Sequence, residues 1–316
     1  MIDVALTPAD LRYTRVIVVV DVLRATSTIT QALAAGYEQV LCADSVSRAL
    51  TLRAEGRVLA GERQCVMPVG FDQGNSPLDA ARCAGRELVL ATTNGAPAIV
   101  AAGRCAPRVL LACLLNLSAV VRTLSASARH GELDLQIVCS GTDGSPALED
   151  SYLAGRICAA LPGPRSDAAL IAEAVSRRYP APFQALDASA DAAVLRAAGL
   201  ADDIACCAQE STLDLVPRVS AAQGGVAAVL AGAPDLRSGS VVTLRARSIT
   251  REGDEQLDRR PHRSDGRPEH EPGPLGGPVA EPDLSQPSRG QVHLDRGARE
   301  QRHTQAGVRG LSDGAV

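Results

Sequence analysis

Up to about residue 235 the chain alternates short apolar runs with longer stretches of helical spacing. The runs Arg15–Val20, Gln39–Ala43, Arg57–Ala60, Glu87–Ala91, Arg108–Cys113 and Asp134–Cys139 are rich in Val, Leu and Ile. Each is too short for a helix and reads as a strand buried on both faces, as in a parallel sheet. Ala- and Leu-rich helices are predicted over Thr28–Ala35, Ser45–Ala54, Leu78–Ala84, Ala96–Ala102, Ser118–His130, Leu148–Ala160, Asp167–Arg177 and Ala190–Ala198. This alternation predicts a layered α/β sandwich, with a largely parallel or mixed sheet and helices on both faces. A variant of the same class has two α/β subdomains with the site between them.

The pattern stops near Arg245, after which Pro, Gly, Arg, Asp, Glu and Gln dominate and no aromatic, Cys or Met occurs. Such a segment buries too little apolar surface to offset chain entropy. The predicted organisation is therefore a catalytic α/β domain over 1–236 and a disordered Pro/Gly/Arg-rich tail over 237–316. The tail holds His262, His270, His293 and His303, whose irregular spacing does not suggest a metal site.

Composition narrows the function classes. Hydrophobic residues make up 46% but aromatics only 2%, so Ala, Val and Leu must fill the core. The chain has no lysine, and all 32 basic residues are arginine. A lysine nucleophile, a Schiff base and a P-loop lysine are thereby excluded, and any bound anion must be held by Arg, backbone N–H groups or metal. A net charge of −4, with Arg interleaved among Asp and Glu, argues against nucleic-acid binding through a basic face. No segment approaches the ~20 consecutive apolar residues of a membrane span, and no signal-peptide pattern opens the chain. A cytoplasmic protein without a membrane partner is expected. The nine cysteines form no C-x-x-C pair and read as small hydrophobes.

Candidate chemistry gathers where predicted strands end. After Val16-Ile17-Val18-Val19-Val20 come Asp21, Arg24 and the hydroxyl cluster Thr26-Ser27-Thr28, which offers N-caps to a helix. A carboxylate and a guanidinium facing a helix N-terminus suit a metal and oxyanion site. The same two residues also read as a buried pair that stiffens a turn. Glu62-Arg63 follows the third strand, and the loop Gly70-Phe71-Asp72-Gln73-Gly74-Asn75-Ser76-Pro77 leads into a helix. Thr92-Thr93-Asn94-Gly95 follows the fourth, Asn116 the fifth, and Ser140-Gly141-Thr142-Asp143-Gly144 with Leu148-Glu149-Asp150 the sixth. Ligands of open α/β sheets bind outside the carboxyl ends of the strands, so these segments are predicted to share one site.

These residues resemble a known family, the ComB-like 2-phosphosulfolactate phosphatases of coenzyme M biosynthesis. The resemblance rests on Asp21 to Thr28, Gly61-Glu62-Arg63, Gly70-Phe71-Asp72, Gly74 to Pro77, Thr92 to Gly95, Asn116, Leu148-Glu149-Asp150 with Ala154-Gly155, Gly199 to Ile204, and Val216-Pro217. It covers residues 1 to about 220. Gln64-Cys65 stands where a small residue, usually Gly, is expected, and Ala96 where Thr is expected.

The resemblance implies Mg²⁺-dependent hydrolysis of a small anionic phosphomonoester, 2-phosphosulfolactate, to sulfolactate and phosphate. Mg²⁺ prefers oxygen ligands, and Asp21, Glu62, Asp72, Glu149 and Asp150 form the candidate pool. Asp21, Glu62 and Asp72 are the catalytic candidates, and Asp21, Glu149 and Asp150 the metal candidates. Arg24 and Arg63 suit two-pronged anion contacts, while Asn75, Ser76, Thr93, Asn94, the Gly95 N–H and Asn116 are orienting groups. His130 falls in a predicted helix away from the strand ends, which argues against a histidine phosphatase. Attack by water is favoured over a covalent Asp21 intermediate, because aspartyl-phosphate enzymes typically carry a second Asp where Leu23 stands here. Other readings are a phosphatase for another phosphorylated hydroxy acid and a catalytically silent small-ligand binder. Enzymes of this size often form homodimers, which leaves that assembly open.

Overall fold

Each of the six apolar runs forms a strand in the computed structural model, which describes residues 1–82, 85–128 and 134–232. The strands are β1 (Ile2–Ala5), β2 (Val16–Val20), β3 (Gln39–Ala43), β4 (Arg57–Gly61), β5 (Glu87–Ala91), β6 (Arg108–Ala112), β7 (Leu135–Cys139), β8 (Arg218–Gln223) and β9 (Val226–Leu230). The helices are α1 (Ala25–Ala35), α2 (Val46–Thr51), α3 (Pro77–Ala80), α4 (Gly95–Cys105), α5 (Leu117–Ala128), α6 (Leu148–Ala160), α7 (Asp167–Arg178), α8 (Pro182–Asp187), α9 (Ala190–Ala197) and α10 (Ala201–Cys207). The segment 237–316, His130 and Cys83 lie outside the described residues.

The sheet is mixed, in the order β1-β7-β2-β6-β8-β9-β3-β5-β4. Two parallel groups, β1-β7-β2-β6 and β3-β5-β4, are joined by the β8–β9 hairpin. All three junctions along the hairpin, β6–β8, β8–β9 and β9–β3, are antiparallel. Three reversals in a row make the two groups run in opposite senses along the sheet.

The groups nevertheless share a core. Ile17 and Val19 of β2 cluster with Val40 and Cys42 of β3, Val58 of β4, and Leu88 and Leu90 of β5. The same cluster takes in Ile29 and Ala32 of α1 and Ala98, Ile99 and Ala102 of α4. These two helices therefore form a layer packed by both groups. Val16, Val18 and Val20 point the other way, into a cluster with α5, α6 and α7. Burial on both faces explains the unbroken Val/Ile run, since every side chain in it is worth roughly 1.5–3 kcal/mol when removed from water.

Connectivity then places the functional turns. The β2–α1 and β5–α4 units lie in different strand groups, yet both helices enter the same layer. Their N-termini meet: a Cβ added at Gly95 would lie 2.5 Å from Ala25 Cβ. Among the described residues no helix is long and apolar enough to cross a membrane.

Candidate active site

The turn after β2 is built around Asp21. Its backbone N–H donates to Thr26 Oγ1 (3.1 Å), and the Thr26 hydroxyl donates back to the Asp21 carbonyl (2.7 Å). The Ala25 N–H donates to Asp21 Oδ1 (2.8 Å), so the carboxylate satisfies a free donor in the first turn of α1. The helix starts at Ala25, slightly before the predicted Thr26–Thr28 cluster. Two helix N-termini, with their partial positive charges, converge on this one carboxylate.

Glu62 reaches the same place from β4. Only a glycine lets the end of β4 run so close to β5, because a Cβ at Gly61 would lie 2.0 Å from the Ala91 carbonyl oxygen. The Glu62 carboxylate then accepts from the Thr93 N–H (2.8 Å), the Thr93 hydroxyl (3.1 Å) and the Cys65 N–H (3.0 Å). The turn supplying that last donor holds Gln64 and Cys65 at φ of 51° and 62°. Both are left-handed, which explains why glycine is the expected residue there.

A third wall comes from the loop after β7 and from α9. Thr142 donates to Asp191 Oδ2 (2.5 Å), and the Asp143 N–H donates to Asn94 Oδ1 (3.4 Å). A fourth comes from a buried polar cluster. Arg24 Nη1 donates to Asp203 Oδ2 (2.6 Å), and Ser76 Oγ donates to Asp203 Oδ1 (2.7 Å). Arg24 and Asp203 are only 3% and 2% exposed. Removing either partner would strand a buried charge, at a cost of roughly 3–5 kcal/mol.

These walls enclose a cavity of about 280 Å³. Asp21, Glu62, Asp143 and Asp191 line it, and Arg24 is the one cationic side chain among its lining residues. Asn75, Thr92, Thr93 and Asn94 also face it, and the Asn75 Oδ1 is buried without a hydrogen-bond partner.

Of the residues singled out in the sequence, the fold brings Asp21, Arg24, Glu62, Asn75, Thr93 and Asn94 to this cavity, with Gly95 directly behind Asp21. The others take different places. Asp72 is a correction to its catalytic reading: Oδ2 accepts from the Leu59 N–H, while Oδ1 pairs with Arg53 at the surface. Arg63 folds back to donate to the Glu62 carbonyl (2.8 Å) and does not line the cavity. Ser76 is turned to Asp203. Asn116 accepts from the Cys113 N–H and donates to the Leu111 and Leu215 carbonyls, so its amide is used up in joining loops to β6. Asp150 sits beneath the floor, where Oδ1 accepts from the Val22 N–H (2.9 Å) and Oδ2 from the Gly141 N–H (3.1 Å). It ties the ends of β2 and β7 together. Glu149 is buried beside it with Oε2 unpartnered, and it too is absent from the cavity lining.

Asp191 was not singled out in the sequence, and Thr142 and Asp203 were named only as members of longer segments. Asp191 and Asp203 both lie in first turns of helices, where an acid normally just complements the helix dipole. The signal that was available is the Ala201-Asp202-Asp203-Ile204 stretch within the family-like segment.

The carboxyls here are strained by their surroundings. Burial, with Glu62 and Asp191 nearby, pushes Asp21 up to about 7, against the Ala25 hydrogen bond and the Arg24 charge. Burial likewise raises Glu149, helped by the charges of Asp150 and Asp191, and raises Asp150, helped by Asp21. A raised carboxyl holds its proton more tightly folded than unfolded. Its contribution is fully present below the unfolded value of ~4 and is lost as pH rises through the folded value. Glu38 and Glu87, lowered by hydrogen bonds from Arg86 and Arg57, work in the opposite sense, and only at pH below their ordinary values. The thermal midpoint of the protein in chelator is therefore expected to fall between about pH 4 and pH 7–8. A midpoint that rises through that window in differential scanning calorimetry would show that these carboxyls are not destabilised.

The 2-phosphosulpholactate phosphatase family profile matches residues 2–222. A probable 2-phosphosulfolactate phosphatase of Thermus thermophilus is 41% identical over 213 residues, which span 66% of this chain and 89% of the relative. Proteins of the same description from Pseudothermotoga lettingae (38% identical, 69% of this chain, 95% of the relative) and Deinococcus radiodurans (39%, 66% and 89%) match comparably. The matched span contains every wall of the cavity, and the chain belongs to the 2-phosphosulpholactate phosphatase family, a family of phosphoric monoester hydrolases.

Proposed function

We propose that this protein hydrolyses 2-phosphosulfolactate to sulfolactate and phosphate, with Mg²⁺ as cofactor. The family and its relatives' descriptions support the substrate. The observation that carries the cofactor is the charge of the cavity, which sets Asp21, Glu62, Asp143 and Asp191 against Arg24 alone. A substrate with phosphate, carboxylate and sulfonate groups enters such a site only when a cation has offset its acids.

The donor set fits Mg²⁺. The acids lining the cavity are hard oxygen donors, and Asn75, another lining residue, has a buried carboxamide oxygen without a hydrogen-bond partner. Among the described residues no group of three or more His, Cys, Asp or Glu is arranged to hold a metal. Mg²⁺ does not require one, because it keeps several waters and binds through one or two carboxylates. Asp21 and Asp191 are the residues that would hold it. When bound, the ion supplies charge neutralisation for the phosphoryl group and lowers the pKa of water.

The protein's own groups do the rest. Arg24, anchored through Nη1 to Asp203, keeps its remaining guanidinium donors for an oxyanion. Glu62 holds the Thr93 turn in place through both oxygens and thereby orients the Thr93–Asn94 edge of the cavity. Water attacks, and Asp21 is not phosphorylated, since the neighbouring position 23 that lines the cavity is leucine.

A phosphatase panel of 2-phosphosulfolactate, phosphoglycolate, 2-phosphoglycerate and phospholactate, with Mg²⁺ and with EDTA, tests this reading. The highest kcat/KM is expected on 2-phosphosulfolactate, with a loss of ~100-fold or more in EDTA. Preference for another member of the panel would overturn the substrate, and full activity in EDTA the cofactor.

A further inference from the structure

A second cavity opens at the opposite end of β6. It arises where the two strand groups are joined most weakly, since β6 and β8 pair in register only at Leu110 and Arg218. The seam gapes toward the start of β6 and leaves a space of about 460 Å³ between β6, β8 and α5. By parallel register Arg108 lies opposite Val16 and Ala112 opposite Val20, next to Asp21. At about 3.3 Å per residue the two cavities are separated by roughly 15 Å along the strands.

Its chemistry is the reverse of the catalytic cavity's. Arg108 and Arg218 both line it, and no Asp or Glu is among the described residues that do. Neither arginine has a carboxylate partner among the described residues, whereas Arg122 on the adjoining helix is paired with Asp214. Arg108 uses Nη1 on Ser127 Oγ (2.8 Å), which leaves the rest of its guanidinium uncommitted. Thr123 of α5 also lines the space; the residue is 4% exposed, and its hydroxyl is buried with no hydrogen-bond partner. A buried hydroxyl without a partner is costly and is normally met by protein, water or ligand. Two unpaired guanidinium forks beside such a hydroxyl match the donor pattern that tetrahedral oxyanions accept.

We propose that this cavity binds a small oxyanion of phosphate or sulfonate type, held between Arg108 and Arg218 with Thr123 Oγ1 as a third contact. The assignment is independent of the substrate read for the catalytic cavity.

Calorimetric titration of the full chain with inorganic phosphate in EDTA tests it, because without a cation the acidic cavity repels the probe. Binding to a single site is expected, unchanged within about twofold in Asp21→Asn and weakened about tenfold or more in Arg108→Gln and in Arg218→Gln. Thr123→Val, which keeps the shape and removes the hydroxyl, should weaken it severalfold. Competition by ethanesulfonate would assign the site to sulfonates as well, and its failure to compete would restrict it to phosphate. Absence of phosphate binding to the wild-type protein would overturn the proposal. So would wild-type affinity in both arginine variants, or loss of binding in Asp21→Asn.

Discussion

Asp21→Asn is expected to lower kcat by ~100-fold or more, the scale of a lost metal ligand or charge-stabilising group, with no loss of thermal stability. Both halves follow from the same geometry. Asparagine keeps an oxygen for the Ala25 N–H and leaves the Thr26 loop intact, so the start of α1 retains its hydrogen bonds. What it removes is a negative charge that burial and the neighbouring Glu62 and Asp191 make unfavourable, pushing its pKa up to about 7. Above that pH the wild-type protein carries the cost of this charge and the variant does not. The thermal midpoint at pH 8 in chelator should therefore be equal to or above wild type. Steady-state kinetics and calorimetry on one preparation check the two claims together. A variant that melts well below wild type would show that Asp21 serves mainly to brace the turn, and near-normal turnover would remove it from the chemistry.

The parts of the fold that were legible in the sequence are those where burial is two-sided. All six Val/Leu/Ile runs became strands, and Leu148–Ala160 is a helix at the predicted ends. The missed strands have weaker patterns. Ile2–Ala5 spans only four residues, and the β8–β9 hairpin carries Ala221, Ala222, Ala227 and Ala228, poor strand formers, in the middle of its two strands. A signal for that hairpin was present in Gly224-Gly225, both at positive φ, the turn that tight hairpins favour. Missing it hid where the reversal falls in a sheet read as largely parallel or mixed.

The site divides in the same way. Strand-end residues Asp21, Glu62, Thr93 and Asn94, singled out because ligands of open α/β sheets bind at strand ends, do line one cavity. Asp72 and Arg63 misled because a charged residue in a Gly-rich or Glu-Arg turn looks the same whether it faces a ligand or its own backbone. Asn116 misled for the same reason. Asp191 and Asp203 come from α9 and α10, far along the chain, and only packing of those helices over the strand ends brings them in.

Gly95→Ala is expected to disable the enzyme although alanine is the better helix former by about 1 kcal/mol. Gly95 is the first residue of α4, and its φ is not among the positive values, so backbone freedom is not what it supplies. Space is. A Cβ there would lie 2.1 Å from Asp21 Oδ2, 2.9 Å from Asp21 Cγ and 2.5 Å from Ala25 Cβ. All three belong to a turn held by the Thr26 hydrogen bonds and by the buried Ala25, so none retreats cheaply. Either the N-termini of α1 and α4 separate or the carboxylate swings away. Overpacking of this kind costs roughly 1–3 kcal/mol, and displacing a reacting group by ~1 Å costs about 100-fold in rate. The expected result is a drop in kcat of ~10–100-fold with a lower thermal midpoint. A double-mutant cycle separates this clash from a general packing defect, because in an Asp21→Ala background the nearest obstruction is gone. The stability cost of Gly95→Ala should then shrink, giving a coupling of about 0.5–3 kcal/mol between the two positions. Additive effects in the cycle, or wild-type turnover in Gly95→Ala alone, would mean that the approach of α4 to Asp21 does not position the carboxylate.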